Sequence, residues 1–158
     1  MENSKPLFKL VLIFYILLAV FMVCDWAWLG LRFNQSDSLP FYFFISAKIK
    51  NAEDLKIEKG MYVSFRHSLS IVKVAKQIAG MPGEEITYKD GHIYIGDKDW
   101  SVLDKTRSGI PLSPQTVERI PPDYFFVVAT HPKSFDSRYD EFGLIKKDQI
   151  IEVLWPLF

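Results

Sequence analysis

The sequence predicts a mainly β fold, a β domain behind one amino-terminal transmembrane helix, and three observations carry that prediction. Leu10 to Cys24 is an unbroken apolar run. Beyond it, short apolar or alternating runs succeed one another, broken by glycines, prolines and an Asp-Gly pair. After residue 33 no long stretch has the three-to-four-residue apolar spacing of an amphipathic helix.

At 158 residues the chain has room for one domain and a sizeable core. Nineteen lysines and arginines balance nineteen aspartates and glutamates, which argues against a broad surface for nucleic acid. A single cysteine, Cys24, allows neither an internal disulfide nor a cysteine metal site. Thirteen phenylalanines, seven tyrosines and four tryptophans are a heavy aromatic load, and part of it is expected to meet lipid.

The apolar run is lengthened by Leu7 and Phe8 across Lys9, and by Trp26, Ala27, Trp28 and Leu29 beyond Asp25. A cleaved secretory signal needs small residues spaced as Ala-x-Ala, and residues 24 to 29 offer bulky rings instead. A lipoprotein site needs a small residue before its cysteine, where this chain has Val23. The expectation is an uncleaved membrane anchor with its interfacial segment over residues 1–33, with Trp26, Trp28 and Phe33 at the far interface, and a tethered domain over 34–158. Lys5 and Lys9 precede the span and Arg32, Lys48 and Lys50 follow it, so charge alone does not settle sidedness.

Within the tethered domain, strands are predicted over Phe41 to Ile45, Met61 to Phe65, Ser70 to Ile78, Glu85 to Tyr88, His92 to Ile95, Tyr124 to Ala129 and Gln149 to Leu154. Asp90-Gly91, between two alternating runs, signals a tight hairpin because both residues tolerate positive φ. Asp104 to Glu118, with Ser108-Gly109 and two prolines, predicts an exposed connection of no assigned role.

One predicted strand carries chemistry. Alternation places Lys76 on the side of Val72, Val74 and Ile78, while Lys73 shares the other side with Ile71, Ala75 and Gln77. A lysine aimed at a core loses its proton, because burying an unpaired ammonium costs several kcal/mol. A neutral amine beside a serine hydroxyl makes a hydrolytic pair, and Asn34-Gln35-Ser36-Asp37-Ser38-Leu39-Pro40 supplies serines upstream. Unaided, the same residues also describe a lysine snorkelling to an edge and two turn serines before a proline.

Three motifs in order decide between these readings: Ser36-Asp37-Ser38-Leu39-Pro40, then Lys76-Gln77-Ile78-Ala79-Gly80-Met81-Pro82-Gly83-Glu84, then Ser134-Phe135-Asp136-Ser137-Arg138-Tyr139 with Phe142-Gly143. Their order and spacing resemble the type I signal peptidases (S26), and the compact form resembles the TraF-like peptidases of bacterial conjugation systems. Gly60 to Phe65 also matches the strand that precedes the lysine strand in this family.

The resemblance implies a compact β-barrel or sheet domain and a serine endopeptidase with a Ser-Lys dyad. Ser38 is then the nucleophile and Lys76 its general base. Ser36 would help the backbone N–H of Ser38 form an oxyanion hole, Ser134 would hydrogen-bond the lysine amine, and Asp136 and Arg138 would pair to hold nearby backbone. Unaided, Asp136 and Arg138 read as a surface ion pair of little worth. Gly80-Met81-Pro82-Gly83 ends the lysine strand sharply. No metal or cofactor is implied, and His67, His92 and His131 read as loop histidines.

The partners implied are an exported preprotein or propilin substrate, the lipid bilayer and other conjugation or secretion components, with no nucleic acid. The implied location is the bacterial cytoplasmic (inner) membrane, with one pass and the catalytic domain on the periplasmic side. Alternatives are a housekeeping signal peptidase and a catalytically silent, membrane-anchored β module of a secretion or pilus assembly. A self-cleaving repressor-type protein would carry a DNA-binding head where this chain has its apolar run. Two departures from the family pattern bear on the cleft: Tyr42 stands where the TraF-like sequences carry glycine, and Thr130-His131-Pro132-Lys133 replaces the Gly-Asp-Asn-Arg of the general signal peptidases.

Overall fold

The computed structural model describes residues 4–26, 29–34, 36, 38–49, 56–106 and 108–157. Helix α1 (Ser4–Trp26) is followed by β1 (Leu29–Phe33), β2 (Phe43–Lys48), β3 (Tyr62–Phe65), β4 (Val74–Gly80), β5 (Thr87–Lys89), β6 (His92–Ile95), β7 (Lys98–Ser101), β8 (Tyr124–Val128), β9 (Ile145–Lys146) and β10 (Ile150–Pro156). A seven-stranded antiparallel sheet runs in the order β1-β2-β10-β3-β4-β8-β9, and a second sheet in the order β5-β6-β7.

The mainly β expectation holds, and the closed barrel does not. Closure requires both outer strands to find a partner, and here the outer strands are a two-residue β9 and a five-residue β1 at opposite sides of an open sheet. Short outer strands leave few unpaired backbone groups, so an open sheet is tolerated. β1 itself falls among residues that the sequence grouped with the anchor. It pairs in register with β2, Leu31 opposite Ile45 and Phe33 opposite Phe43, so it is built into the sheet of the following domain.

α1 is helical over 23 residues, and the side chains of residues 7–23 are exposed throughout. Among the described residues no helix is long and apolar enough to cross a membrane, so the fold does not show the span that the sequence predicts. Trp28 and Asp37 lie outside the described residues.

Two clusters cover the sheet around β4. Val63, Phe65, Ile78 and Val127 pack with Phe142 and Ile145, and Ala79, Phe126 and Val128 pack with Ile86, Ile93, Ile95 and Ile120, which brings the three-stranded sheet against the larger one. A third, smaller cluster joins Leu39, Phe44, Ala129 and Leu154. Asp90 (φ 52°) and Gly91 (φ 78°) close the β5–β6 hairpin in two residues, with Lys89 opposite His92, as the sequence predicts. Gly80 ends β4 where any side chain would collide: a Cβ there would sit 2.5 Å from Ile120 Cδ1 and 2.9 Å from Phe126 Cβ.

Candidate active site

Lys76 lies on β4 opposite Val63 and is 4 % exposed. Its Nζ bonds the Oγ of Ser134 at 2.6 Å. Burial holds its pKa below the ordinary lysine value; the charge of Asp136 works against that shift and the charge of Arg138 with it. The wall around it differs in part from the expected one. Ile78 and Phe65 are buried and Val74 packs on their cluster, whereas Val72 is 72 % exposed because β4 begins only at Val74.

Ser134, Asp136 and Arg138 sit in irregular backbone between β8 and β9, where no strand periodicity brings them together. Arg138 does. Its Nε meets Asp136 Oδ1 at 2.8 Å and its Nη2 meets Asp136 Oδ2 at 3.0 Å, while Nη1 donates to the carbonyls of Ser101 and Pro132 and Nη2 to that of Ser134. Asp136 Oδ2 also accepts the N–H of Ala129, just past β8. Both side chains are buried, so this pair is internal framework and not the surface pair that spacing alone describes. Ser137 seals the same loop to β8, its Oγ accepting the N–H of Val127 and its own N–H donating to the carbonyl of Val127.

Ser38, half-buried, is tied to that loop through the backbone: the N–H of His131 donates to the carbonyl of Ser38 at 3.3 Å, and Leu39 packs on Ala129. Ser36 is exposed, and its hydroxyl donates to Asn34 Oδ1 at 2.9 Å. Asn34 is a residue that sequence reasoning missed. Its Oδ1 also accepts the N–H of Ser36 and its Nδ2 donates to the carbonyls of Phe41 and Leu39, so one amide shapes the whole serine loop. An Asn two residues before a serine is a signal for such a turn.

Ser36, Ser38 and Lys76 line one groove of about 500 Å³. A second cavity, of about 400 Å³, is lined by Ser134, Phe135 and Tyr139 together with Leu103 and Leu112. The 104–118 connection is thus part of the site's surroundings. It is bridged to Tyr139 through Pro114, and the N–H of Gln115 donates to the carbonyl of Arg138. The histidines are occupied elsewhere. His67 stacks on Phe142 with centroids 4.2 Å apart and bonds its carbonyl, His92 pairs with Asp99, and His131 Nδ1 accepts the N–H of Lys133.

A buried amine held by a serine hydroxyl, beside a groove with two more serines, is the equipment of a serine hydrolase. The signal peptidase (peptidase S26) family model matches residues 5–154, and the chain belongs to that family of serine endopeptidases, whose members are typically membrane-anchored and act on exported preproteins. Among curated proteins none matches the sequence. Solved structures that resemble it include a signal peptidase I from Enterococcus faecalis V583, 25 % identical, with a TM-score of 0.47 over 64 % of this chain and 98 % of that one.

Proposed function

We propose that this protein is a membrane-anchored signal peptidase that cleaves exported preproteins with a Ser38–Lys76 dyad. The observation that carries the reading is Lys76 itself, a buried lysine with a lowered pKa, held by Ser134 and lining the same groove as Ser38. An ordinary lysine is neutral in only about one molecule in 2,500 at pH 7, so a base of this kind needs that burial.

Ser38 Oγ attacks the substrate carbonyl while Lys76 Nζ takes its proton. Lys76 then protonates the departing amine, and the acyl-enzyme remains. Water attacks the ester next, giving its proton to Lys76, which passes it to Ser38 Oγ as the acid leaves. Ser134 orients the amine through its hydrogen bond. The oxyanion is received by the backbone N–H of Ser38 and the hydroxyl of Ser36, which must first turn away from Asn34. Asp136 and Arg138 keep the 131–134 backbone in place behind the amine.

In this reading α1, whose apolar side chains over residues 7–23 are exposed, is the segment that meets lipid, although among the described residues no helix is long and apolar enough to cross a membrane. A helix apolar all round is stable in lipid and not in water. The short Ser-Leu-Pro spacing favours a TraF-like enzyme of a conjugation system acting on a propilin or another transfer protein, with the catalytic domain on the periplasmic side of the inner membrane. The test is cleavage of a candidate propilin by full-length protein in detergent. Ser38→Ala and Lys76→Ala each lower kcat/KM at least about 10³-fold while the protein stays folded. Full activity in either variant ends the dyad reading.

A further inference from the structure

The groove holds a second charged group that the proposed dyad does not use. The Glu152 carboxylate on β10 is 1 % exposed. Its Oε1 accepts from Arg32 Nη2 at 2.9 Å and from Lys73 Nζ at 3.1 Å, and its Oε2 accepts from Ser64 Oγ at 3.2 Å. Burial alone would raise its pKa, and the hydrogen bonds and charges of Arg32 and Lys73 outweigh that and hold it low, so Glu152 is an anion. Arg32 also reaches it through Nε, at 3.3 Å. With Arg32 on two nitrogens and Ser64 on the other oxygen, the carboxylate is already paired without Lys73.

Lys73 is differently placed. Its side chain is 43 % exposed, it lines the groove that Ser38 and Lys76 line, and Glu152 takes one of the three N–H donors of its ammonium. The buried anion therefore stations a cation whose other donors are available to a bound chain. Its neighbours in the groove wall are apolar: Val72, Val74, Phe33 and Leu154. Lys73 stands three positions before Lys76, just ahead of the start of β4, and both line the same groove.

We propose that Lys73 is a specificity residue of the groove, receiving the carboxylate of an Asp or Glu side chain within a few residues of the scissile bond of an otherwise apolar substrate segment. This rests on the Ser38–Lys76 reading. An extended chain laid along residues 73–76 passes its side chains over the apolar wall and brings one of them to the ammonium. Leu69, Ile71 and Val72 are exposed beside Lys73, so an anionic lipid headgroup is the competing occupant. Sharing the groove with the serines favours the substrate.

The test uses the full chain in neutral detergent with a series of peptides of one cleavable sequence, carrying Glu or Gln at each position two to five residues from the bond on either side. At one position the Glu peptide exceeds the Gln peptide about tenfold in kcat/KM, the worth of one charge-assisted hydrogen bond. The ratio falls toward one in Lys73→Gln, is retained in Lys73→Arg, and shrinks with added salt in the parent protein. No preference at any position, or one unchanged in Lys73→Gln, overturns the proposal. So does a Lys73-dependent demand for anionic vesicles without a Glu preference. Cleavage surviving in Ser38→Ala, or none of either peptide by the parent, overturns the dyad reading and this proposal with it.

Discussion

The 2.6 Å bond from Lys76 Nζ to Ser134 Oγ lies between two cavities, since Lys76 lines the groove that holds Ser36 and Ser38 and Ser134 lines the cavity beneath the 104–118 connection. The hydrogen bond thus links the space proposed for the substrate to a second space lined by Phe135 and Tyr139. Whatever holds Ser134 in place also aims the amine.

Ser134→Ala removes the partner that aims Lys76 and leaves the rest of the loop, which Arg138 and Ser137 hold by backbone and side-chain bonds. The expected result is a fall in kcat of about ten- to a hundredfold with little change in KM, the mark of a misaimed base. Steady-state kinetics on one peptide check it, and a pure KM effect would assign Ser134 to substrate binding instead.

In the proposed mechanism the neutral amine of Lys76 is the active form, so activity is expected to rise with pH along a limb that burial of Lys76 places below the ordinary 10.5. A kcat/KM profile flat from pH 5 to 9 contradicts this. The same shift acts on stability. With the folded pKa lowered, the unfolded chain binds more protons between the folded value and 10.5, so stability rises with pH across that window. Lys76→Met lifts the penalty of a buried charge, and its gain in denaturant midpoint over the parent is largest at low pH and shrinks toward pH 10.5.

Arg138→Ala strands the Asp136 carboxylate and four backbone carbonyls that the guanidinium reaches. Removing one partner of a buried pair costs about 3–5 kcal/mol, read as a lower denaturant midpoint and lost activity. Arg138→Lys rescues little, since an ammonium cannot make the forked contacts.

Gly80→Ala tests the turn that ends the lysine strand. Its methyl meets Ile120 and Phe126 closer than van der Waals contact permits, so a loss of about 1–3 kcal/mol is expected, measured by thermal or urea unfolding. Gly83→Ala is strained for a different reason, its φ of 88°.

Most strands that the sequence revealed have an apolar face of their own, and Thr87–Lys89, exposed throughout, was legible from the Asp90-Gly91 turn instead. His92 to Ile95 alternates, and Ile93 and Ile95 are buried as alternation requires. β1, β7 and β9 carried no such signal, because Lys98–Ser101 is polar and exposed at its start, Ile145–Lys146 is two residues long, and Leu29–Phe33 continues an apolar run that hid its change from helix to strand. Asn34 was silent for a like reason: its four side-chain hydrogen bonds all go to residues of its own loop, and a turn asparagine looks the same whatever it frames.

The sequence by itself determined the mainly β class, the Asp90-Gly91 hairpin and the singling out of Lys76, because each rests on local periodicity or on the φ range that a residue tolerates. Only the tertiary structure decided that Asp136 and Arg138 are buried, that Ser134 holds the Lys76 amine, that the sheet stays open and that Glu152 stations Lys73 in the groove. Those facts depend on contacts between residues distant in the chain, such as 37 positions from Arg138 to Ser101, 58 from Lys76 to Ser134 and 120 from Arg32 to Glu152, and no local pattern encodes them.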